Sequence, residues 1–149
     1  LDAVASDHVP DRLAVEKAIP APPFPQISNG APGIETLLSL VHGLGPASGR
    51  MTLERMVDVL STSPARLFGL ANKGSVEVGR DADLVLFDPD ASRTLRQTGL
   101  HHSSDFTPYE GLSVRGAVQS VLLRGEPVVR DGIFAGRRGA GRFIERALS

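Results

Sequence analysis

Proline is the residue that most limits how this chain can fold between residues 9 and 33. That segment holds Pro10, Pro20, Pro22, Pro23, Pro25 and Pro32, together with Gly30 and Gly33. Because proline fixes φ and has no backbone N–H, it excludes regular helix and central strand from most of the segment. A loop of this length inside a compact domain is usually functional or disordered.

Regular elements are predicted on both sides of this loop. Residues 1–6 are mostly apolar and lead into Asp7-His8, a pattern typical of a buried parallel strand that delivers polar side chains to the mouth of a sheet or barrel. After the loop, apolar spacing predicts a helix over residues 34–42. A second helix is expected to be capped by Thr52, and a third to begin at Ser63-Pro64 and stop at Gly69.

Short strands dominate the chain after residue 73. They are predicted at residues 75–78, 82–87, 118–123 and 127–134, with a short extended piece at 93–96. Asp88-Pro89 is expected to end the second of them, and Arg124-Gly125 to form a hairpin turn. Helices followed by strands suggest two incomplete pieces of different layers instead of one core.

Composition excludes several classes of function. The 16 basic and 17 acidic residues give a net charge of −1, which argues against nucleic acid or an anionic membrane as partner. Without Cys, disulfides, thiolate zinc sites and cysteine nucleophiles are excluded. No apolar run is long enough to span a membrane and the first residues do not resemble a signal peptide, so a cytoplasmic location is expected. A compact globule of 15.8 kDa would expose about 7,300 Å².

Few residues are placed to carry chemistry. Asp7, at the end of the predicted strand, can bind a cation, act as a general base, or only cap the following loop. Asn29-Gly30 predicts a tight turn with exposed backbone groups. Three further imidazoles lack ligand spacing to Asp7, and adjacent histidines on a strand point to opposite faces, so a loop or interface role is expected for the pair; they are His42, His101 and His102.

The order of short motifs is more specific than any one of them. The motifs are Ser6-Asp7-His8-Val9-Pro10, Asn29-Gly30-Ala31-Pro32-Gly33-Ile34-Glu35, residues 61–70 (STSPARLFGL), residues 73–85 (KGSVEVGRDADLV), Tyr109-Glu110-Gly111, Val114-Arg115-Gly116 and residues 124–129 (RGEPVV). This series resembles the C-terminal third of the cyclic amidohydrolases, which include hydantoinase/dihydropyrimidinase, dihydroorotase and allantoinase. The resemblance covers essentially the whole chain.

The resemblance implies an α/β fold that combines the C-terminal portion of a (β/α)₈ TIM barrel with part of a small β-sandwich. Residues 1–72 would then hold the last barrel strand and its helices, and residues 73–135 the C-terminal share of the sandwich. Residues 136–149 form an arginine-rich tail that we expect to contact another subunit of a homo-oligomer, a dimer or tetramer. The missing N-terminal part of the barrel would be a further partner.

The resemblance also implies roles for three residues. Asp7 would be the strand-eight aspartate that ligates one of two divalent metals, expected to be Zn²⁺. It would take a proton from the bridging hydroxide and pass it to the leaving amide nitrogen. Asn29 matches the position whose backbone holds the amide or imide of a small cyclic substrate, and Gly30 would permit that approach. The His-x-His pair, the carboxylated lysine and two further histidines of the family lie outside this chain, so the isolated chain is expected to be inactive; Lys17 is in the wrong place to substitute.

The subgroup and the class of function stay open at this point. Dihydroorotases tend to have a second histidine where Asp11 stands, and the 134–143 tail and the His101-His102 pair with Asp105 resemble hydantoinase. Glu35-Thr36-Leu37-Leu38 is closer to dihydroorotase or allantoinase. Dihydropyrimidinase-like proteins that have lost their metal ligands act as binding proteins, and retention of Asp7 favours the enzyme.

Overall fold

Helices occupy the first half of the chain and an antiparallel sheet the second. The computed structural model describes residues 1–17 and 23–147. The helices are α1 (Leu37–Leu44), α2 (Leu53–Val57) and α3 (Ser63–Leu67), and the strands are β1 (Leu84–Thr94), β2 (Ser113–Leu123), β3 (Glu126–Arg130) and β4 (Ile133–Phe134). Short 3₁₀ turns lie at Phe24–Gln26, Pro46–Ser48 and Gln97–Gly99.

The four strands form one meander in the order β1-β2-β3-β4. Leu123 pairs with Glu126 across the predicted Arg124-Gly125 turn, where both turn residues have positive φ, 50° and 82°. Two consecutive positive φ angles match the right-handed twist of the flanking strands, which is why glycine is favoured there. The hairpin prediction is therefore confirmed.

The strand β1 continues where the sequence predicted its end. Its pairing with β2 jumps from Asp88↔Ala117 to Ser92↔Arg115, so the proline is accommodated in a bulge. Asp88 Oδ1 accepts hydrogen bonds from the amides of Asp90 (2.9 Å) and Ala91 (3.1 Å), which supplies local partners where the ladder is interrupted. The prediction that Asp88-Pro89 ends this strand is wrong, because a bulge can absorb a residue that has no N–H.

Residues 53–67 form one continuous helical segment instead of two helices. Thr52 caps it as predicted, since its Oγ1 accepts from the Arg55 amide at 3.2 Å. A single wide π-type turn, Asp58–Thr62, joins α2 to α3. Ser63 has helical φ and ψ and its hydroxyl donates to Asp58 Oδ1 at 2.7 Å, so Ser63 is an interior residue and the predicted N-cap there is wrong.

The helix α1 packs against β2. Leu40 joins Leu95 and Val114 in a buried cluster, against which Tyr109 packs. His42 lies in this contact, where its Nδ1 is 2.8 Å from the Arg115 carbonyl oxygen and its ring meets Phe87 edge-on. The helix prediction rested on an apolar stripe of Ile34, Leu37, Leu38 and Val41. The first three of these instead line a groove of about 620 Å³ shared with α2 and β1.

A lysine ties the loop after α3 to the start of the sheet. Lys73 Nζ is 2.7 Å from Asp81 Oδ2 and also pairs with Asp83. Burial acts to raise the pKa of Asp83, but hydrogen bonds from Lys73 and from the Arg124 amide outweigh it, so that pKa lies below its usual value. The residues just before β1 are thereby held to Lys73, the residue at which the sandwich segment was predicted to begin.

Two predicted strands have no ladder in this structure. Residues 1–6 are held to the helical segment by a hydrogen bond from the Val4 amide to the Val59 carbonyl (3.0 Å) and by one from Arg55 to the Leu1 carbonyl, and they pair with no strand among the described residues. Residues 75–78 likewise pair with no strand among the described residues. Val76 and Val78 are 84% and 108% exposed. A strand needs a neighbour to satisfy its backbone groups, and no neighbour is formed by the described residues at either place.

The chain exposes more surface than its mass predicts. Its accessible area is 10177 Å², against about 7,300 Å² for a compact globule of this size. The large exposed apolar side chains include members of α2, β1 and the loop before it, such as Leu53, Val76 and Leu86. The chain therefore does not reach the compactness of a closed single-core globule, as the prediction of two incomplete pieces requires. Within the described residues, no helix has the length and apolar character to cross a bilayer.

Candidate active site

Asp7 has an unusual backbone conformation at the start of the proline-rich loop. Its φ is +44° and the residue is exposed. Aspartate tolerates the left-handed region better than most residues, although that region still costs free energy. Such outliers are concentrated at functional sites, where the surrounding structure holds them in place.

His8 connects Asp7 to the far end of the loop. Its Nδ1 accepts hydrogen bonds from the amides of Gly33 (3.1 Å) and Ile34 (3.4 Å). An imidazole nitrogen that accepts carries no proton, so the proton of the neutral ring is on Nε2. The ring of His102 meets the ring of His8 edge-on, with centroids 6.1 Å apart.

Asn29 and Gly30 lie in the turn that this connection brings beside Asp7. His8 and Ala31 form a parallel bridge, in which the Val9 amide donates to the Ala31 carbonyl at 3.1 Å. Gly30 has φ +87°, and a Cβ built on it would lie 2.4 Å from Val9 Cγ2. Both turn residues are exposed, so the backbone of this turn is accessible at the same edge as Asp7.

A buried ion pair anchors the other end of the same turn. Lys17 Nζ donates to the Ser28 carbonyl at 2.8 Å and lies 3.6 Å from Asp11 Oδ2. The Ser28 hydroxyl donates to the same Asp11 oxygen. Sequence reasoning gave Lys17 no role here; its contact spans 11 residues across the proline-rich loop, which no local pattern reveals.

The loop of residues 100–107 closes over this region and contains the two adjacent histidines. His101 Nδ1 is 2.8 Å from Glu35 Oε1, and the His101 amide donates to Glu35 Oε2 at 2.7 Å. Asp105 Oδ1 accepts from the Leu13 amide at 2.8 Å. The two imidazoles thus have different partners, Glu35 for His101 and the His8 ring for His102.

The C-terminal tail folds back on the rest of the chain. The Ala135 amide donates to the Val128 carbonyl at 2.9 Å, and Arg124 donates to the Ala140 carbonyl. Further along, the Ala147 amide donates to the Gly69 carbonyl at 3.0 Å. Its last two residues, 148 and 149, lie outside the described part of the chain.

The donor set near Asp7 fits one metal-ligand position. A carboxylate is a suitable ligand for Zn²⁺ and other divalent ions, and Asp7 is exposed. No cluster of three or more potential ligand side chains forms among residues 1–17 and 23–147. Among these residues, Asp7 offers a carboxylate of the right chemistry, and no cluster forms that would bind a metal ion by itself.

The chain is similar in sequence and structure to proteins named as hydantoinases and dihydropyrimidinases. A D-phenylhydantoinase from Escherichia coli O1:K1 is 40% identical over 147 residues, which is 98% of this chain and 32% of that protein. The structure of a D-hydantoinase from Bacillus sp. AR9 superposes with a TM-score of 0.95 at 44% identity, over 98% of this chain and 32% of that one. A dihydropyrimidinase structure from Brevibacillus agri gives a TM-score of 0.95 at 42% identity, over 99% and 32%.

The chain thus spans about a third of the length of the relatives it matches. Residues 3–128, well over half of the chain, match the sequence pattern of the amidohydrolase family. The match includes Asp7, the Asn29–Gly33 turn, the helical segment and most of the sheet. The chain belongs to the amidohydrolase family.

Proposed function

We propose that the protein to which this chain contributes hydrolyses the ring amide of a cyclic amide or imide, a hydantoin or a dihydropyrimidine. The observation that carries the proposal is the position of Asp7, strained and exposed, directly before the bridge that joins His8 to Ala31 beside the Asn29-Gly30 turn. The near-complete coverage of this chain by D-phenylhydantoinase supports the same reaction class.

In the proposed architecture, residues 1–6 are the last strand of a TIM barrel and residues 34–70 the helices after it. Residues 1–72 then belong to the barrel, 73–135 to a β-sandwich, and 136–149 to an oligomer contact in a dimer or tetramer. The exposed apolar side chains of α2 and β1 support this, because the rest of the barrel and sandwich would cover them. A cytoplasmic location remains part of the proposal.

Two divalent ions, Zn²⁺ in this proposal, would supply a water of lowered pKa and polarise the ring carbonyl. Asp7 would hold one of these ions through its carboxylate. The carboxylate accepts the proton that the attacking water loses and delivers it to the ring nitrogen. A bond forms between the water oxygen and the carbonyl carbon, the ring C–N bond breaks, and the nitrogen leaves with the proton.

Substrate position depends on the turn at Asn29-Gly30. Its backbone N–H and C=O groups are complementary to the alternating carbonyl and N–H groups of a cyclic imide. The hydrogen bond from Lys17 to the Ser28 carbonyl holds the turn on one side, and the bridge between His8 and Ala31 holds it on the other. Asp11, already paired with Lys17, offers no cationic group for a substrate carboxylate, which favours hydantoin and dihydropyrimidine over dihydroorotate.

A substrate comparison tests the proposal on the complete protein loaded with Zn²⁺. We expect kcat/KM for hydantoin and dihydropyrimidine to exceed that for dihydroorotate and allantoin by about tenfold or more, since the additional carboxylate or ureido group of the latter two would be left without a polar partner in the site. The 149-residue chain alone is expected to show no turnover and no stoichiometric zinc. A preference for dihydroorotate or allantoin would move the protein to those subgroups. A complete protein that binds no zinc and turns over none of these substrates would be a binding protein.

A further inference from the structure

We propose that His8 is a positioning residue, whose Nδ1 holds the substrate-binding turn in register with Asp7. The inference rests on the proposed function, because it assigns His8 to the turn that carries Asn29 and Gly30. The contacts on which it depends are hydrogen bonds from two backbone amides to the His8 side chain, and all of these groups belong to this chain.

The amides that His8 accepts from belong to the residues just before α1. Gly33 and Ile34 lie before Thr36, the N-cap of this helix, so their N–H groups are outside the helical hydrogen bonds and need other acceptors. Thr36 satisfies the Gly33 carbonyl, because its hydroxyl donates there at 3.1 Å. The N–H groups of Gly33 and Ile34 both donate to His8 Nδ1.

The substrate-binding turn is thereby held by side-chain contacts at both of its ends. At one end, Lys17 and Asp11 hold Ser28; at the other, His8 holds Gly33 and Ile34. Between them, Pro32 is fully buried, whereas Asn29 and Gly30 are exposed. Releasing the His8 end would leave the exposed residues attached mainly through Ser28 and the single bridge at Ala31.

His8 is also the residue next to Asp7 in the chain. Asp7 has a left-handed backbone conformation and is exposed, whereas His8 is half-buried against the turn. One short segment therefore fixes both the carboxylate and the far end of the substrate-binding turn. Any displacement of His8 would change the separation between the two.

His102 supports the orientation of the His8 ring. The two rings meet at 60° with centroids 6.1 Å apart, an edge-to-face contact. Both nitrogens of His102 are buried and have no hydrogen-bond partner among the described residues. The contact of His102 with His8 is therefore one of packing, and it restricts rotation of the ring that accepts from Gly33.

Two polar substitutions of His8 test whether the acceptor at the Nδ1 position, and not the rest of the imidazole ring, holds the turn. In His8→Asn the amide oxygen can occupy the position of Nδ1, whereas in His8→Gln the polar atoms reach the position of Nε2. In the complete zinc-loaded protein, we expect His8→Gln to raise KM for hydantoin about tenfold, with kcat changed less than about threefold. His8→Asn should stay within about threefold of wild type in both constants, and zinc content should be unchanged in both variants.

Amide hydrogen exchange gives a readout that does not depend on activity. Exchange at Gly33 and Ile34 should be about tenfold faster in His8→Gln than in wild type and nearly unchanged in His8→Asn. Equal impairment of the two variants, loss of zinc, or a fall in kcat alone would overturn the proposal. If His8→Gln fails to fold, lost amide protection in His8→Asn would overturn it. If wild type opens no ring, the proposed function fails and the exchange rates alone decide the role of His8.

Discussion

Replacing Asp7 by asparagine in the complete protein is expected to lower kcat/KM for ring opening by about 10³-fold. The substitution keeps size and hydrogen-bonding capacity but removes the negative charge and the proton-accepting oxygen, and proton transfer by a positioned group is worth about 10²–10⁴-fold. It also weakens one metal-ligand position, so zinc content should fall. Steady-state kinetics together with metal analysis by atomic emission would measure both effects.

Asp2→Asn is the matched control, because Asp2 is exposed and lies five positions earlier on the same segment. The same chemical change there should leave kcat/KM within about twofold of wild type, as expected for a surface residue with no role in proton transfer. Near-wild-type activity in Asp7→Asn, with zinc retained, would remove Asp7 from the proposed chemistry.

Replacing Gly30 by alanine is expected to lower the free energy of unfolding by about 3 kcal/mol and to raise KM for the cyclic substrate. The left-handed backbone costs an alanine about 1–2 kcal/mol, and a Cβ in a filled site costs about 1–3 kcal/mol. Both costs apply here, because φ is +87° and the new Cβ would lie 2.4 Å from Val9 Cγ2 and 2.7 Å from Val9 Cβ. Denaturant titration and steady-state kinetics of the complete protein would measure them.

The variant Gly49→Ala separates the cost of the left-handed backbone from the cost of a crowded Cβ. Gly49 also has positive φ, +71°, but a Cβ there meets nothing within 4 Å. This variant should lose about 1 kcal/mol and keep its KM, since only the backbone cost applies. If the two alanine variants lose the same stability and Gly30→Ala binds substrate normally, then close packing against Val9 has no part in shaping the turn.

Features that depend on local chemistry were predictable from the sequence. The hairpin at Arg124-Gly125 follows from two adjacent residues that accept positive φ, and the Thr52 cap from a hydroxyl one residue before the helix. Family membership was predictable from the order of the motifs. The juxtaposition of Asp7 with the Asn29-Gly30 turn was expected only through the resemblance, because the proline-rich loop between them has no periodic pattern.

Features that depend on distant partners were not predictable from local patterns. The strand expected at residues 75–78 has no neighbour among the described residues, and β1 passes through Pro89 because β2 tolerates a bulge. The contacts of Lys17 with Ser28 and of His102 with His8 depend on the tertiary packing of the proline-rich loop and of the loop of residues 100–107. The three helical residues of α1 that are buried, Ser39, Leu40 and His42, were not the predicted apolar stripe, because the sheet covers a different face.

The role of Asp7 is tested most directly by a crystal structure of the complete protein with anomalous diffraction data at the zinc edge. We expect an anomalous peak with an Asp7 carboxylate oxygen at about 2.0–2.2 Å, the usual Zn–O distance, beside the Asn29-Gly30 turn. A zinc centre that is fully coordinated without any Asp7 oxygen would contradict the assignment of this chain's aspartate to the metal site.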